Sequence, residues 1–360
     1  MGPAADLSKV SLNTVRVAQS DRLGRVQDRF VSKYLRIPCP DEPGTLLDIY
    51  WFAVFDGHGG DACSEFLKNN LHGHFESARA IDLQTTLTAL SSIYERSLTV
   101  TDPPPSAPGN TTSDGWTDPL TMSQRLYIAF LKAELEFFKK HPSEVTETCG
   151  STASVTLIRP VHLKSVQDAV IDVVVAHVGD SRVILGAGPR GIAHPLTTSH
   201  VPTLKSEQHR IVQLGGFSTP VPEARGEELV LGALAVSRCF GDKKYKKFGG
   251  VIVEPQIVTQ RLDETHQAAF ICMVTDGVSS VAHDQEIVDV IKHSSTPEKA
   301  CSAILDLSDS LGSQDNKTVT IIRMPAWTDA PPSTASDITR LSRAKRISEH
   351  SGNRKDSRSG

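Results

Sequence analysis

The sequence predicts an α+β layered domain, and three observations carry that reading. Strand-like runs rich in Val, Ile and aromatics recur along the 360 residues, helical stripes are fewer and longer, and the two kinds do not alternate as a doubly wound parallel sheet requires. With 39% hydrophobic residues, the chain can bury a substantial core as one large domain or two small ones. A formal net charge of −4 gives no global electrostatic attraction to nucleic acid or to an anionic membrane, so neither is expected as a partner.

In chain order, the strand-like runs are LLDIYWFAVF (46–55), ASVTLI (153–158), AVIDVVVAHV (169–178), RVILGAG (182–188), FICMVT (270–275) and KTVTIIRM (317–324). Several run directly into Asp-Gly, Gly-Asp or Gly-Gly, the residues of tight turns. GDACSEFLKNNLHGHFESA (60–78) carries Cys63, Phe66, Leu67 and Leu71 at helical spacing. MSQRLYIAFLKAELEFFKKH (122–141) repeats that stripe through Leu126, Phe130, Leu131, Leu135 and Phe138, so both helices should lie on a sheet face. DQEIVDVIKH (284–293) opens on acidic residues and ends on Lys and His, in agreement with the helix dipole, and EKACSAILDLSDSL (298–311) follows a Thr-Pro break.

Residues 101–119 (TDPPPSAPGNTTSDGWTDP) read as a mobile insertion, residues 1–14 as an N-terminal extension, and 325–360 as a disordered basic, Ser-rich tail outside a domain at 15–324. The six cysteines, at 39, 63, 149, 239, 272 and 301, stand singly, which suits reduced buried thiols in an intracellular compartment better than a disulfide framework. No run approaches the roughly 18 apolar residues that span a bilayer, and MGPAADLSKV lacks the features of an export or lipidation signal.

Four carboxylates stand where apolar strands meet turns: Asp56 after FAVF, Asp180 after VVVAHVG, Asp276 after FICMVT, and Asp315 before NKTVTII. One such Asp is ordinary turn chemistry. Gathered at one end of a sheet, four would repel one another unless a cation compensates them, and all-oxygen donors suit hard ions such as Mg²⁺ or Mn²⁺ rather than zinc. Gly57, Gly59 and Gly60 let the backbone bring a carbonyl to such an ion, and His58 between them is either a proton donor or a hydrogen-bonded turn histidine.

VFDGHGG (54–60), CGSTAS (149–154), AHVGDSRVIL (176–185), HVPTLKSEQHRIVQLGG (200–216), LAVSRCFGD (234–242), VEPQI (253–257), VTDG (274–277) and QDNKTV (314–319) occur in this order. With these motifs the chain resembles the PPM family of metal-dependent protein Ser/Thr phosphatases, the PP2C type. The resemblance implies a central sandwich of two antiparallel sheets flanked by helices in four αββα layers. It implies phosphoserine and phosphothreonine proteins as substrates, attacked by water that two Mg²⁺ or Mn²⁺ ions activate. In that reading Asp56 bridges the metals, the Gly57 carbonyl joins one of them, Asp276 and Asp315 hold the other, and Asp28 acts through water. Asp180 matches a ligand of a weak third ion, and His58 matches the general acid.

The pattern departs in places. The family's phosphate-clamping Arg falls on Leu23, leaving Arg22 or Arg25 as phosphate-binding candidates. Gln27 replaces an acidic neighbour of Asp28, Ser279 and Ser280 replace an aromatic and a second Asp after VTDG, and Ser199 stands where Asp is frequent. An active phosphatase is expected, the alternative being a phosphatase-like binding module with little turnover. Glu207, Arg210, Arg238 and Asp242 read as loop anchors, and KKYKK (243–247) as a solvated lysine run. The stretch VSRCFGDKKYKKFGGVIVEPQI resembles fungal members, some of them mitochondrial. A monomer is expected, in the cytoplasm with the mitochondrion as the alternative.

Overall fold

The structure, a computed structural model, describes residues 15–18, 26–40, 42, 44–98, 100, 111–112, 115–161, 170–188, 191–220, 228–266, 268–324 and 326–327. Two five-stranded antiparallel sheets form its centre. One runs Gln256–Leu262, Val170–Val178, Ala153–Val161, Leu46–Phe55, Arg29–Pro38 from edge to edge. The other runs Val15–Ala18, Lys317–Arg323, Ala268–Val274, Arg182–Ala187, Ile192–Pro195.

Side chains alternate across a strand with a period of two, and that alternation builds the layers. From Leu46–Phe55, Phe52 and Val54 point into an inter-sheet core with Val173, Val175, Val183, Leu185, Ile271, Met273 and Ile322. Trp51, Ala53 and Phe55 point the other way, onto helices Ala62–Glu76, Ala80–Tyr94 and Met122–Lys140. On the far side Ile184, Phe270, Cys272, Val319 and Ile321 pack against Asp284–Lys292 and Pro297–Ser310. Helix, sheet, sheet and helix therefore lie in four layers, the expected sandwich.

All six sequence-read strands and four helices form, with ends shifted by at most three residues. Ala80–Tyr94, Arg29–Pro38 and Gln256–Leu262 are additional. Residues 1–14 and 328–360 lie outside the described residues, and Trp327 packs edge-on against Phe270. Part of the 101–119 segment is described. Thr111–Thr112 pairs with Gly115–Trp116, and Trp116 packs edge-on against Tyr127; residues 101–110 and 113–114 lie outside the described set. All six cysteines are buried and free.

Between Val170–Val178 and Arg182–Ala187 the chain turns at Gly179, where φ is +104° and where the Thr152 side chain leaves no room for a Cβ. Two buried histidines hold this turn. His177 donates from Nε2 to the Gly179 carbonyl (2.9 Å) and accepts at Nδ1 from Ser154 Oγ (2.8 Å), while His200 Nδ1 accepts from the Gly179 amide (3.2 Å). That network fixes both rings as neutral tautomers. Burial, reinforced by the charge of Arg238, pushes the His177 pKa down to about 3, and burial with the neighbouring His177 also lowers that of His200.

A pH dependence of stability follows. Above an ordinary histidine pKa of 6.5 neither folded nor unfolded chain carries the proton; below it the unfolded chain takes a proton that folded His177 refuses until about pH 3. The folded state should therefore lose about 2 kcal/mol through His177 alone between neutral pH and about pH 5. Urea midpoints at the two pH values measure the loss, and His177→Asn should flatten the dependence. An unchanged slope in that variant would refute this assignment.

Candidate active site

The strand ends of both sheets meet at one end of the sandwich, and a small ribbon crosses that end. Its middle strand, Gly150–Ser151, pairs with Gly57–His58 on one side and with Phe240–Gly241 on the other. In register, His58 lies opposite Gly150 and Gly150 opposite Gly241. Three motifs far apart in sequence thus share one ladder.

Asp28, Asp56 and Asp276 converge beside it. Asp28 is buried and immediately precedes the Arg29–Pro38 strand; its Oδ2 accepts from Thr275 Oγ1 and Thr318 Oγ1, each at 2.9 Å. Thr275 directly follows the Ala268–Val274 strand of the second sheet and Thr318 lies in that strand's neighbour, with the Thr318 amide donating to Thr275 Oγ1 (2.9 Å). The Asp28 carboxylate is therefore a clasp between the sheets. Asp56 is fixed through its backbone, whose amide donates to Thr152 Oγ1 (3.1 Å) and whose carbonyl accepts from the Thr152 amide (2.8 Å). Asp276 opens the short helix Asp276–Ser279.

The electrostatics show how close these groups are. The Asp56 carboxylate lies close enough to those of Asp28 and Asp276 for each to alter the other's titration. Burial first, then the charges of Asp276, Asp28 and Asp180, raise the Asp56 pKa well above the carboxylate range. Burial raises Asp28 to about 6 and, together with Asp276, raises Asp180 to about 7. Asp276 is raised by burial and by Asp315. Asp315 is exposed, accepts from the Asn316 amide at 2.7 Å, and reaches the cluster by charge. Asp56 thus feels the charges of Asp28, Asp180 and Asp276, while Asp315 acts on Asp276 and Asp180.

Gly57 sits where a Cβ would strike the Gln27 carbonyl (2.7 Å) and Ser64 Oγ (2.8 Å), so a side chain there would separate Asp56 from the Asp28 segment. Ser64 Oγ donates to that same carbonyl (2.6 Å), and the Gln27 amide donates to Asn316 Oδ1 (2.9 Å). Arg22, Leu23 and Arg25 lie outside the described residues. Ser280 is exposed, and its amide donates to the Asp276 carbonyl (2.8 Å).

His58 departs from the isolated turn residue that its spacing permits. Its Nε2 is 2.5 Å from Asp242 Oδ2, with the Asp242 side chain 1% exposed and the imidazole 33% exposed. Burial works to lower the His58 pKa, but the hydrogen bond and charge of Asp242 outweigh it, and the value ends above the histidine norm. Asp242 is left-handed (φ +51°), its amide donates to the Cys149 carbonyl (3.2 Å), and Cys239 Sγ donates to Oδ2 (3.2 Å). The Gly241 amide donates to Glu134 Oε2 (2.9 Å), and Lys246 reaches Glu134 and the Cys239 carbonyl (2.7 Å). Lys246 is fully buried, so KKYKK is not a wholly solvated run.

The charges of Glu207, Arg210 and Arg238 do structural work, as their sequence context suggests. Glu207 accepts from Ser237 Oγ (2.6 Å), Arg238 Nη2 (2.6 Å) and Arg210 Nη2 (2.8 Å). Burial would raise its pKa, but the Arg238 hydrogen bonds and both cations hold it well below the carboxylate range. Sequence reasoning missed Gly150, Glu134, Thr275, Thr318 and the contact role of Asp242. The only signal was that CGSTAS and LAVSRCFGD both contain glycines beside polar residues.

The Protein phosphatase 2C family model matches residues 37–317. The chain belongs to that family. Protein phosphatase 2C homolog 4 of Schizosaccharomyces pombe is 30% identical over 307 residues, 84% of this chain and 77% of that protein. Xenopus laevis Protein phosphatase 1K, mitochondrial, is 30% identical over 328 residues, 90% of this chain and 70% of that protein. The fold is also that of a Toxoplasma gondii serine-threonine phosphatase 2C crystal structure, with a TM-score of 0.58 at 21% identity, covering 86% of this chain and 93% of that one. This PP2C chain is therefore a protein serine/threonine phosphatase that acts on phosphoproteins.

A Cβ added at Gly150 would fall on Asp242 Oδ2 and His58 Nε2. Gly150→Ala should therefore cost about 1–3 kcal/mol by overpacking, read from urea midpoints. It should also depress phosphatase turnover; full activity in that variant would contradict the rigidity of the ribbon.

Proposed function

We propose that this phosphatase works through two divalent ions, Mg²⁺ or Mn²⁺, held by Asp56, the Gly57 carbonyl, Asp276 and Asp315, with Asp28 engaged through water and Asp180 at a weaker third position. The observation that carries the reading is the crowding of carboxylates around Asp56, buried Asp28 and half-buried Asp276 and Asp180, which without cations leaves like charges close together. Asp28 Oδ1 and Asp276 Oδ1 are buried and have no hydrogen-bond partner among the described residues. An all-oxygen donor set with orphaned carboxylate atoms fits hard divalent ions. When bound, such ions lower the pKa of water toward neutrality and neutralise phosphoryl oxygens.

The chain's own groups supply the rest. With Nε2 engaged by Asp242, His58 presents Nδ1 to a leaving Ser or Thr oxygen, and the Asp242 carboxylate favours the imidazolium that can give up that proton. Arg22 or Arg25 is proposed to clamp the phosphate in place of the family's Arg at position 23. The DGHGG glycines let this turn pack closely on its neighbours, since a Cβ at Gly57 would strike the Gln27 carbonyl and one at Gly59 the Thr148 carbonyl. For compartment, six buried free thiols suit a reducing environment and one relative is named mitochondrial. Imaging of a C-terminally tagged chain decides between cytoplasm and mitochondrion, and a monomer is proposed for its solution state.

Purified protein titrated with Mn²⁺ and Mg²⁺ should release phosphate from a phosphothreonine peptide. Asp56→Asn and Asp276→Asn should each lose at least about 100-fold in rate, beyond the 10–100-fold cost of disturbing a mere supporting partner. Metal-independent release, or full activity in both variants, would overturn the two-ion reading. His58→Ala should lower kcat on the phosphopeptide by roughly 10²–10⁴ yet leave p-nitrophenyl phosphate nearly unaffected, because nitrophenolate departs without a proton. Equal losses on the two substrates would show that His58 is not the acid.

A further inference from the structure

The end of the sandwich carries a second group of donors whose chemistry differs from that of the carboxylate cluster. His58, Cys239 and Asp242 bring ligand atoms within 4.8 Å of one another, and imidazole, thiol and carboxylate together form the donor set of borderline ions such as Zn²⁺. Cys239 and Asp242 lie three residues apart on either side of the Phe240–Gly241 strand, with positive φ at Gly241 (+73°) and Asp242 (+51°). That spacing is how short chelating loops aim two ligands at one point.

Three features make this more than a chance meeting of polar groups. Asp242 is fully buried, and although its Oδ2 meets both His58 Nε2 (2.5 Å) and Cys239 Sγ (3.2 Å), its Oδ1 has no hydrogen-bond partner among the described residues. The donors are also held in place: the ladder fixes His58 against Gly150 and Gly241, and the Glu134–Lys246 pair anchors the 239–241 backbone. Finally, His58 is one-third exposed, which gives an ion a way in past its ring.

We propose that His58, Cys239 and Asp242 form a soft-metal site that takes Zn²⁺ or a similar ion and withdraws His58 from proton transfer. On binding, the Cys239 thiol loses its proton to solvent and its sulfur becomes a thiolate ligand, while Nε2 and an Asp242 oxygen complete three positions. One thiolate and one carboxylate balance the dication. A water or a phosphate oxygen fills the fourth place of a tetrahedral ion. Ligand atoms around such an ion stand about 3.4 Å apart, so His58 and Asp242 must separate by roughly 1 Å, which rotation of the partly exposed ring supplies. With a cation on Nε2 the imidazolium form is lost: Nδ1 keeps its proton, but a neutral metal-bound imidazole is a far weaker acid and gives that proton to the leaving oxygen much less readily. The binding claim stands independently of the two-ion phosphatase reading; the inhibition claim rests on it.

The experiment titrates full-length protein with Co²⁺ in saturating Mg²⁺, which is spectroscopically silent and fills any all-oxygen centre. The expected result is a thiolate-to-cobalt charge-transfer band in the near ultraviolet, with the visible bands of tetrahedral cobalt, both abolished by Zn²⁺ and absent in Cys239→Ser, whose hydroxyl can keep the hydrogen bond to Asp242. Cys239→Ala serves as the second variant, and circular dichroism confirms that each is folded. In parallel, Zn²⁺ should inhibit phosphopeptide hydrolysis at saturating Mn²⁺, each rate being taken relative to the same protein without zinc. Cys239→Ser should raise the inhibitory midpoint by at least about tenfold, the lower end of the cost of disturbing a metal site. Absence of the band in the native protein, or its persistence in both variants, would overturn the site. Zinc inhibition that is equal in native and variant proteins and relieved by more Mn²⁺ would overturn the withdrawal of His58, placing zinc at the carboxylates instead. If no phosphate is released under any condition, the two-ion reading fails while the cobalt spectrum still decides the site.

Discussion

Like charge held at short range in a buried place is the constraint around which this molecule is arranged. Asp28 and Asp276 both lie against Asp56, with Asp180 and Asp315 adding to the same field. Left to itself such a cluster would drive its strands apart, since desolvation and repulsion both oppose ionisation. The frame answers by giving the most buried carboxylate a second task. Asp28 leaves the first sheet and is gripped by Thr275 and Thr318 of the second, so the group that contributes to the repulsion also ties the two layers together at that end. Each hydroxyl here is a donor to a charged acceptor, a stronger bond than a neutral pair makes. Two such bonds reach one oxygen, which leaves Oδ1 available.

What could be read in advance followed from apolar content. Leu46–Phe55 and Val170–Val178 are unmistakable because each buries side chains on both faces, toward helices and toward the other sheet, and so reads as a nearly continuous apolar run. Arg29–Pro38 escaped because it is an edge strand, and the alternation in RFVSKYLRIP is broken by a run of exposed residues. Ala80–Tyr94 escaped for a different reason. Its sequence is dense in Thr and Ser, and it opens at Arg79 without a conventional capping residue, Asp82 closing back on the Arg79 amide instead (2.9 Å). The carboxylates at the strand ends were legible for the same reason as the strands they end. Their partners were not, since Thr275 and Thr318 look like ordinary β residues until the second sheet brings them over Asp28.

The ribbon shows the limit most clearly. Strands of two residues have no period to detect, and nothing in the spacing of DGHGG, CGST and SRCFGD says that they share a ladder. KKYKK illustrates the same limit at one residue: five positions with four lysines read as surface, yet Lys246 is drawn inward to Glu134, whose other neighbours are Tyr94 and the Gly241 amide. A buried ion pair is a weak source of stability, because desolvating both charges offsets most of their attraction. Its effect here is positional. By holding the backbone from Cys239 to Gly241, it sets the residue that follows, Asp242, in the left-handed conformation that turns its carboxylate onto His58.

That arrangement also explains why a glycine lies between them. Gly150 pairs with both His58 and Gly241, and the space where its side chain would stand is taken by the ring nitrogen of one partner and the carboxylate beside the other. A methyl group would have to part the imidazole from the acid that orients it, or lift a strand from the ladder. The three motifs are consequently one mechanical element, in which removing side chains at the centre brings functional groups from the two flanks into contact. The carboxylate cluster and the histidine then share a single support: Gly57 and His58 follow Asp56 directly, and Thr152, two residues beyond Gly150, binds the Asp56 backbone on both sides of its side chain. Displacing the ribbon therefore displaces the acid and the carboxylate cluster together.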